Sequence, residues 1–369
     1  MPKKLISVFL FSPHFAEYSL RLSGAENNYI DVFLVLSSTN FDAEVDHTIP
    51  TPGRTRFLLM KRATFWQKLL AIPIVCFAAI KFRPDVIHLH DSGTLVDYLI
   101  ARFLIFFWPT IITVHDPRPH SGEDAVSAKA IASRTRLLRQ KSRAFHVHGQ
   151  YCANALCEVE DVAGRPICIT AHGPILVPTE IEKKNSILMR VLLFGRMQSY
   201  KGVEDFIDLI VTLGVRFPTL VGVLAGKGPE IERLTNKLQL SKNIELINRF
   251  LAPAELRQQL QLASIIVAPY LDATQSGIVS AAFANGRPVL ATSVGGLVDS
   301  VDDGKNGILV PPSDSKKLGD ALSNFLLDRK LQVQVTEGAL NTSVQQSWAS
   351  ISLKLTDIYR TIALNQPRN

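Results

Sequence analysis

Three corners in the second half of the chain carry residues suited to holding an anion. The first is Val-Leu-Leu-Phe-Gly-Arg-Met-Gln-Ser-Tyr-Lys-Gly-Val from Val191, an apolar run that ends in Gly195 and Arg196 and resumes at Lys201-Gly202. Gly195 lets the backbone turn with no side chain in the way. Arg196 offers a planar fork and Lys201 a point charge at the same strand end, the means of holding a diphosphate without a metal. Taken alone, the segment reads equally as two surface cations beside a turn. The second corner is Gly226-Lys227-Gly228-Pro229-Glu230, after the apolar run Leu220 to Ala225. The third, Ala273-Thr274-Gln275-Ser276-Gly277, precedes a helical stretch from Ile278 to Ala284. Free amides and the helix dipole at such starts attract phosphate. Each corner alone is a weak signal, and three at successive strand ends make a stronger one.

The first half offers histidines. His115, Asp116 and His120 cluster after the run Thr110 to His115, and His14 follows the first apolar run. A lone histidine is more often a structural hydrogen-bonding group than a catalyst, but a strand's carboxyl end is where parallel sheets place their ligands. Neither the histidines nor the cysteines (Cys76, Cys152, Cys157, Cys168) have the spacing of a known metal motif, so no metal and no cofactor is expected. Four scattered thiols suit a reducing cytosol.

Lys and Arg outnumber Asp and Glu by 40 to 33. Part of the excess sits in two stretches without acids, Arg54 to Arg83 and Lys129 to Arg143, and the first interleaves its cations with Phe57, Phe65 and Trp66. A solvated helix face would explain either stretch. Basic residues mixed with Trp, Phe and Leu also suit an anionic membrane surface, and no nucleic-acid-binding signature accompanies the charge. The longest apolar run, Leu69 to Ile80, contains Pro73 and falls short of the roughly 20 residues of a membrane span. Leu5 to Phe11 reads as a first strand rather than a signal peptide. Together these readings give a cytoplasmic protein with a peripheral place on the inner face of a membrane.

Such residues need elements to position them, and 369 residues suffice for two domains. Short β-rich runs alternate with helical spacing throughout, the pattern of parallel sheets with crossover helices. The strands are expected at Leu5 to Phe11, Ile30 to Leu36, Asp85 to His90, Thr110 to His115, Phe145 to His148 and Ile167 to Ala171. The second set is expected at Arg190 to Phe194, Leu220 to Ala225, Ile244 to Ile247, Ser264 to Ala268, Pro288 to Ala291 and Gly307 to Val310. Gly173 to Ser186, with two prolines and a charge cluster, reads as a linker. The expectation is a doubly wound α/β domain over 1–178, another over 187–345, and a terminal helix in 346–369 that packs back toward the first. Two such sheets facing one another would form a cleft with the active site in it.

The second half resembles the donor domain of the family 4 retaining glycosyltransferases, which have the GT-B fold. The likeness runs through Phe-Gly-Arg-Met-Gln-Ser-Tyr-Lys-Gly, Ala-Gly-Lys-Gly-Pro, Asn-Ile-Glu-Leu-Ile-Asn-Arg-Phe, Ala-Asn-Gly-Arg-Pro-Val-Leu-Ala-Thr-Ser-Val-Gly-Gly and Asp-Gly-Lys-Asn-Gly-Ile-Leu-Val-Pro-Pro, about residues 188 to 330. It implies that Arg196 and Lys201 neutralise the diphosphate leaving a nucleotide-sugar, and that main chain at Arg249 and Phe250 borders the base. It implies that His115 lies near the reacting sugar. Gly195, Gly226, Gly228 and Thr274 to Gly277 then contact the donor, and His14, Asp116 and His120 the acceptor. Where the family places two glutamates, this chain has Ala273 and Ala281. Ser12-Pro13-His14-Phe15 also lacks the relatives' glycine-rich loop. The implied reaction is hexosyl transfer with retention to a saccharide acceptor, lipid-linked in exopolysaccharide or lipopolysaccharide assembly. A non-catalytic GT-B scaffold and a nucleotide-sugar epimerase of the same fold are the alternatives.

Overall fold

The computed structural model describes residues 5–25, 29–45, 49, 55–62, 64–91, 94–118, 123–160, 162, 164–180, 189–275 and 277–364. The chain forms two compact units. One holds the elements before Gly173 together with the terminal helix Trp348–Leu364, and the other runs from Pro174 to Gln346.

The first unit is built on β1 (Ile6–Phe11), β2 (Ile30–Ser37), β3 (Thr55–Met60), β4 (Val86–His90), β5 (Thr110–Val114), β6 (Ala144–His148) and β7 (Ile167–Thr170). All pair in parallel, in the order β3-β2-β1-β4-β5-β6-β7. The chain steps one way from β1 to β3 and the other way from β4 to β7. Right-handed crossovers therefore place the helix Ala16–Gly24 on one face and Phe65–Phe82, Leu95–Phe107 and Gln150–Val159 on the other. On the latter face Phe9, Phe11 and Val35 pack with Val75, Ile100, Leu104 and Leu156. On the former, the terminal helix lies beside Ala16–Gly24 and against β4 and β7. Strand periodicity does the sorting: Phe9 and Phe11 belong to one face, and Val8 and Leu10, which line a small cavity with Leu355 and Tyr359, to the other.

The second unit is built on β8 (Arg190–Arg196), β9 (Val221–Lys227), β10 (Ile244–Ile247), β11 (Ile265–Ala268), β12 (Val289–Thr292) and β13 (Gly307–Val310), parallel in the order β10-β9-β8-β11-β12-β13. Its direction of winding reverses between β8 and β11, and ligands of such sheets sit at the carboxyl ends beside the reversal. Helix Val203–Gly214 buries Val203, Phe206, Ile207, Ile210 and Leu213, the stripe that its apolar spacing predicts.

The first basic stretch needs one correction. Thr55–Met60, part of the first basic stretch, is an edge strand whose pairing with β2 competes successfully with any helical role. The apolar run around Pro73 belongs to one helix, Phe65–Phe82, that continues through the proline. Thr64 and Gln67 close its start as a capping box, and Arg83 ends it in the left-handed conformation at φ 53°.

Candidate functional site

In the second unit the loops after β8, β9 and β11 lock together. Gly195, at φ +105°, leaves a space into which the Lys201 side chain reaches: a β-carbon there would lie 3.5 Å from Nζ and 3.7 Å from Cδ1 of Ile278. Lys201 Nζ and Ile278, in the first turn of the helix Gly277–Ala284, thus both border Gly195 near the end of β8. Its Nζ donates to the Tyr270 hydroxyl at 3.0 Å and lies 4.9 Å from that ring's centre. Tyr270 is fixed in turn, because its carbonyl accepts from Thr292 Oγ1 at 2.5 Å and the next amide, Leu271 N, donates to Tyr200 O at 2.7 Å. Lys201 is 8% exposed and Tyr270 3%, so the ammonium is held close to protein rather than waving in water. Arg196 is exposed at the last position of β8.

Gly226 allows this closeness, since any β-carbon there would come within 1.8 Å of Gly195 O. Gly228 packs on Met197 in the same manner. The third corner is clamped by the loop after β12, where Gly295 approaches Ala273 O so nearly that a side chain would strike it. Thr274 is buried and Gln275 partly exposed with its Oε1 enclosed, while Ser276 lies outside the described residues. Ala273 and Ala281 pack in the apolar cluster with Tyr270, Ile266 and Leu297. Ser280 is buried beside them and Asp272 partly exposed.

After β10, Arg249 forms a bidentate pair with Glu255 at 2.7 and 2.8 Å. This guanidinium and the Ala252 amide hold the Glu255 carboxyl down at about 2. Phe250 is 61% exposed, an open ring at the sheet's edge strand.

In the first unit, histidines line the face covered by the terminal helix. His88 in β4, Thr113 in β5, His146 in β6 and Thr170 in β7 join in one chain of hydrogen bonds, Thr113 lying level with His146 and reaching His88 diagonally. The last link fixes the direction. Thr170 Oγ1 donates to Ala171 O at 2.9 Å, so it accepts from His146 Nε2 at 2.8 Å. His146 Nδ1 then accepts from Thr113 at 2.8 Å, Thr113 accepts from His88 Nε2 at 2.6 Å, and His88 Nδ1 accepts from Tyr359 Oη at 2.6 Å. Burial favours the neutral form of both rings, and in that form each carries its proton on Nε2.

Two residues further along each strand comes a second row: His90, His115, His148 and His172. His90 Nδ1 and His115 Nε2 lie 3.1 Å apart, and Phe15 stacks on His115 at 3.9 Å. This row is less satisfied. His90 Nε2, His115 Nδ1, both nitrogens of His148 and the Tyr18 hydroxyl are enclosed without a protein partner. Burial lowers all these rings; His88 and His115 fall to about 3, the latter against the opposing charge of Asp116. His115 is therefore a neutral imidazole, beneath an aromatic lid rather than open to solvent.

The other residues expected near it separate. Asp116 is exposed and His120 lies outside the described residues. His14 turns to Asp97, Nε2 to Oδ2 3.0 Å, and Asp97 also pairs with Arg62 at 2.7 Å. Arg139, counted in the second basic stretch, is buried against Asp91 and Glu160. Sequence reading missed Tyr270 and the histidine rows. A signal for the rows was present in His88-Leu89-His90 and His146-Val147-His148, whose period of two puts each pair on one face.

Residues 189–328 match the model of the family Glycosyl transferases group 1. The segment includes all three glycine-containing corners described above. The chain is 30% identical over 181 residues to a D-inositol 3-phosphate glycosyltransferase of Corynebacterium urealyticum, an alignment covering 46% of this chain and 42% of the relative. It is 28% identical over 178 residues to an alpha-D-kanosaminyltransferase of Streptomyces kanamyceticus, covering 47% and 46%. The matched part thus spans less than half the length of these relatives. Among solved structures, a sucrose-phosphate synthase from Thermosynechococcus elongatus superposes with a TM-score of 0.72 at 18% identity, covering 98% of this chain and 100% of that one. Anabaena HepE in complex with UDP-glucose gives 0.71 at 15% identity, covering 96% and 100%. Both α/β units therefore have the GT-B fold.

Proposed function

We propose that this chain transfers a hexosyl group from a nucleoside-diphosphate sugar to a saccharide acceptor. The carrying observation is the convergence of the Lys201 ammonium, the Gly195 turn and the first turn of the helix Gly277–Ala284. As the donor bond breaks, negative charge grows on the leaving diphosphate. A pre-placed ammonium and free helix amides stabilise that charge more than the ground state, which lowers the barrier. Arg196 adds a second cation from the exposed end of β8, so the donor phosphates need no metal in this reading. Retention follows if the leaving phosphate takes the acceptor's proton on the face it vacates, and it rests on the likeness to retaining family 4 enzymes. HepE binds UDP-glucose, which makes uridine donors the first to test. The acceptor is a lipid-linked saccharide of cell-surface polysaccharide synthesis, met by the first unit at the inner face of an anionic membrane. The named relatives add a cyclitol phosphate to the acceptors worth screening.

A second reading has one observation in its favour. Ala273 and Ala281 put no carboxylate where the resembled family has two, which suits a binding partner that lost catalysis. A panel of nucleotide-sugars incubated with the protein and membrane extract separates the two. Nucleoside diphosphate released above the membrane blank, and reduced by Arg196→Ala, supports transfer. Calorimetric binding without release from any donor favours the scaffold, and sugar conversion with no acceptor present favours an epimerase.

A further inference from the structure

Among the described residues of the first unit, the most exposed apolar surface lies on the paired helices Phe65–Phe82 and Leu95–Phe107. The first turns small residues inward, Ala71, Val75 and Ala79 at a spacing of four, and so sits close on the sheet. Its other side is open: Trp66 is 71% exposed, Leu70 59%, Ile74 50% and Phe77 67%. The neighbouring helix adds Phe106 at 81% and Phe107 at 56%. Side chains of this size are seldom left so bare over two adjacent helices unless something covers them.

The charges around the patch identify the cover. Lys61, Lys68, Lys81, Arg83 and Arg102 are exposed along these elements. The described acids of the same stretch are engaged elsewhere: Asp85 accepts from the Ser7 amide, Asp91 pairs with Arg139 and Asp97 with Arg62. The patch is thus apolar with a wholly cationic rim among the described residues. A second copy docked by twofold symmetry would bring cation against cation. An anionic bilayer complements both features at once.

We propose that this two-helix face is the surface by which the first unit lies on an anionic bilayer, with Trp66, Phe77, Phe106 and Phe107 entering the acyl boundary. This deepens the membrane part of the proposed function. The helix Phe65–Phe82 is long and apolar enough to span, with a mean hydropathy of 1.5 over 18 residues. It lies in the interface instead, because it is the crossover between β3 and β4 and its small-residue stripe is packed into the core. Pro73 is exposed on the lipid side, where headgroup water can satisfy the carbonyl its missing amide leaves free.

The test is cosedimentation of the full chain with vesicles of phosphatidylglycerol and of phosphatidylcholine, alongside Trp66 fluorescence. The wild type should pellet with the anionic vesicles at least tenfold more strongly, lose most of that binding at high salt, and show a blue shift that Trp66→Phe removes. Leu70→Glu with Phe77→Glu should abolish pelleting, and Lys68→Glu with Lys81→Glu should remove the preference for anionic lipid. These positions are exposed, so circular dichroism and nucleotide binding should not change. Wild-type protein that stays in the supernatant with anionic vesicles overturns the proposal, as does a double Glu variant that still pellets. A solution dimer dissolved by Leu70→Glu with Phe77→Glu would also overturn it, in favour of contact between copies. Nucleotide binding is read separately, so failure here leaves the transferase reading standing and failure there leaves this one.

Discussion

Mild acid should unfold the first unit. His88, His90, His115, His146 and His148 are each at most 4% exposed, and burial lowers the proton affinity of every one. The unfolded chain takes up their protons below about pH 6.5 and the folded chain does not, so the unfolded state binds more protons throughout the interval down to the folded values. Stability is complete above that pH and falls as pH drops toward about 3, where His88 and His115 protonate in the fold. Each ring contributes about 1.4 kcal/mol per pH unit, so the five together approach ~7 kcal/mol at pH 5.5. Asp116 offsets part of this at His115. A domain's whole stability is roughly 5–15 kcal/mol, so the loss is decisive. The hydrogen-bond chain sharpens it, because a proton on His88 Nδ1 or His146 Nδ1 would face a donor, Tyr359 or Thr113. Urea unfolding followed by tryptophan fluorescence, with Trp348 4.7 Å from Tyr18 as reporter, should show the midpoint falling steeply between pH 7.5 and 5.5. His148→Phe should flatten the slope by about one proton. A midpoint unchanged over that range would refute the reasoning.

Tyr359→Phe removes the first donor of the chain and leaves His88 Nδ1 buried without a partner. It should cost about 1–3 kcal/mol in urea melts at pH 7.5, with nucleotide binding unchanged. Gly226→Ala drives a methyl into Gly195 O, and calorimetry should show nucleoside diphosphate affinity falling at least tenfold as the β8 and β9 ends part. Ala281→Glu places a carboxylate at a position 0% exposed, so it should lower thermal stability by several degrees rather than raise turnover. A faster enzyme would instead show that the helix can turn that position toward substrate.

The alternation of strands and helices was legible because buried parallel strands read as short apolar runs, and every one but β3 lies within two residues of its expected bounds. Thr55–Met60 escaped because an edge strand exposing Phe57 and Leu59 beside arginines shows the composition of a membrane-facing segment. The glycine and cation corners could be read as strand ends from local spacing alone. Tyr270 could not be tied to Lys201, because the two meet only through the winding order that sets β11 beside β8. The histidine rows needed strand order as well as period: His88 and His146 join one chain only because β5 brings Thr113 between β4 and β6.

The claim on which the functional reading rests is that Lys201 and Arg196 receive a pyrophosphate, and the most direct measurement is calorimetric titration with UDP. Wild-type protein should bind in the micromolar range without added metal, and Lys201→Ala and Arg196→Ala should each weaken binding at least tenfold, with circular dichroism showing both variants folded. UDP affinity that both substitutions leave untouched would contradict the claim.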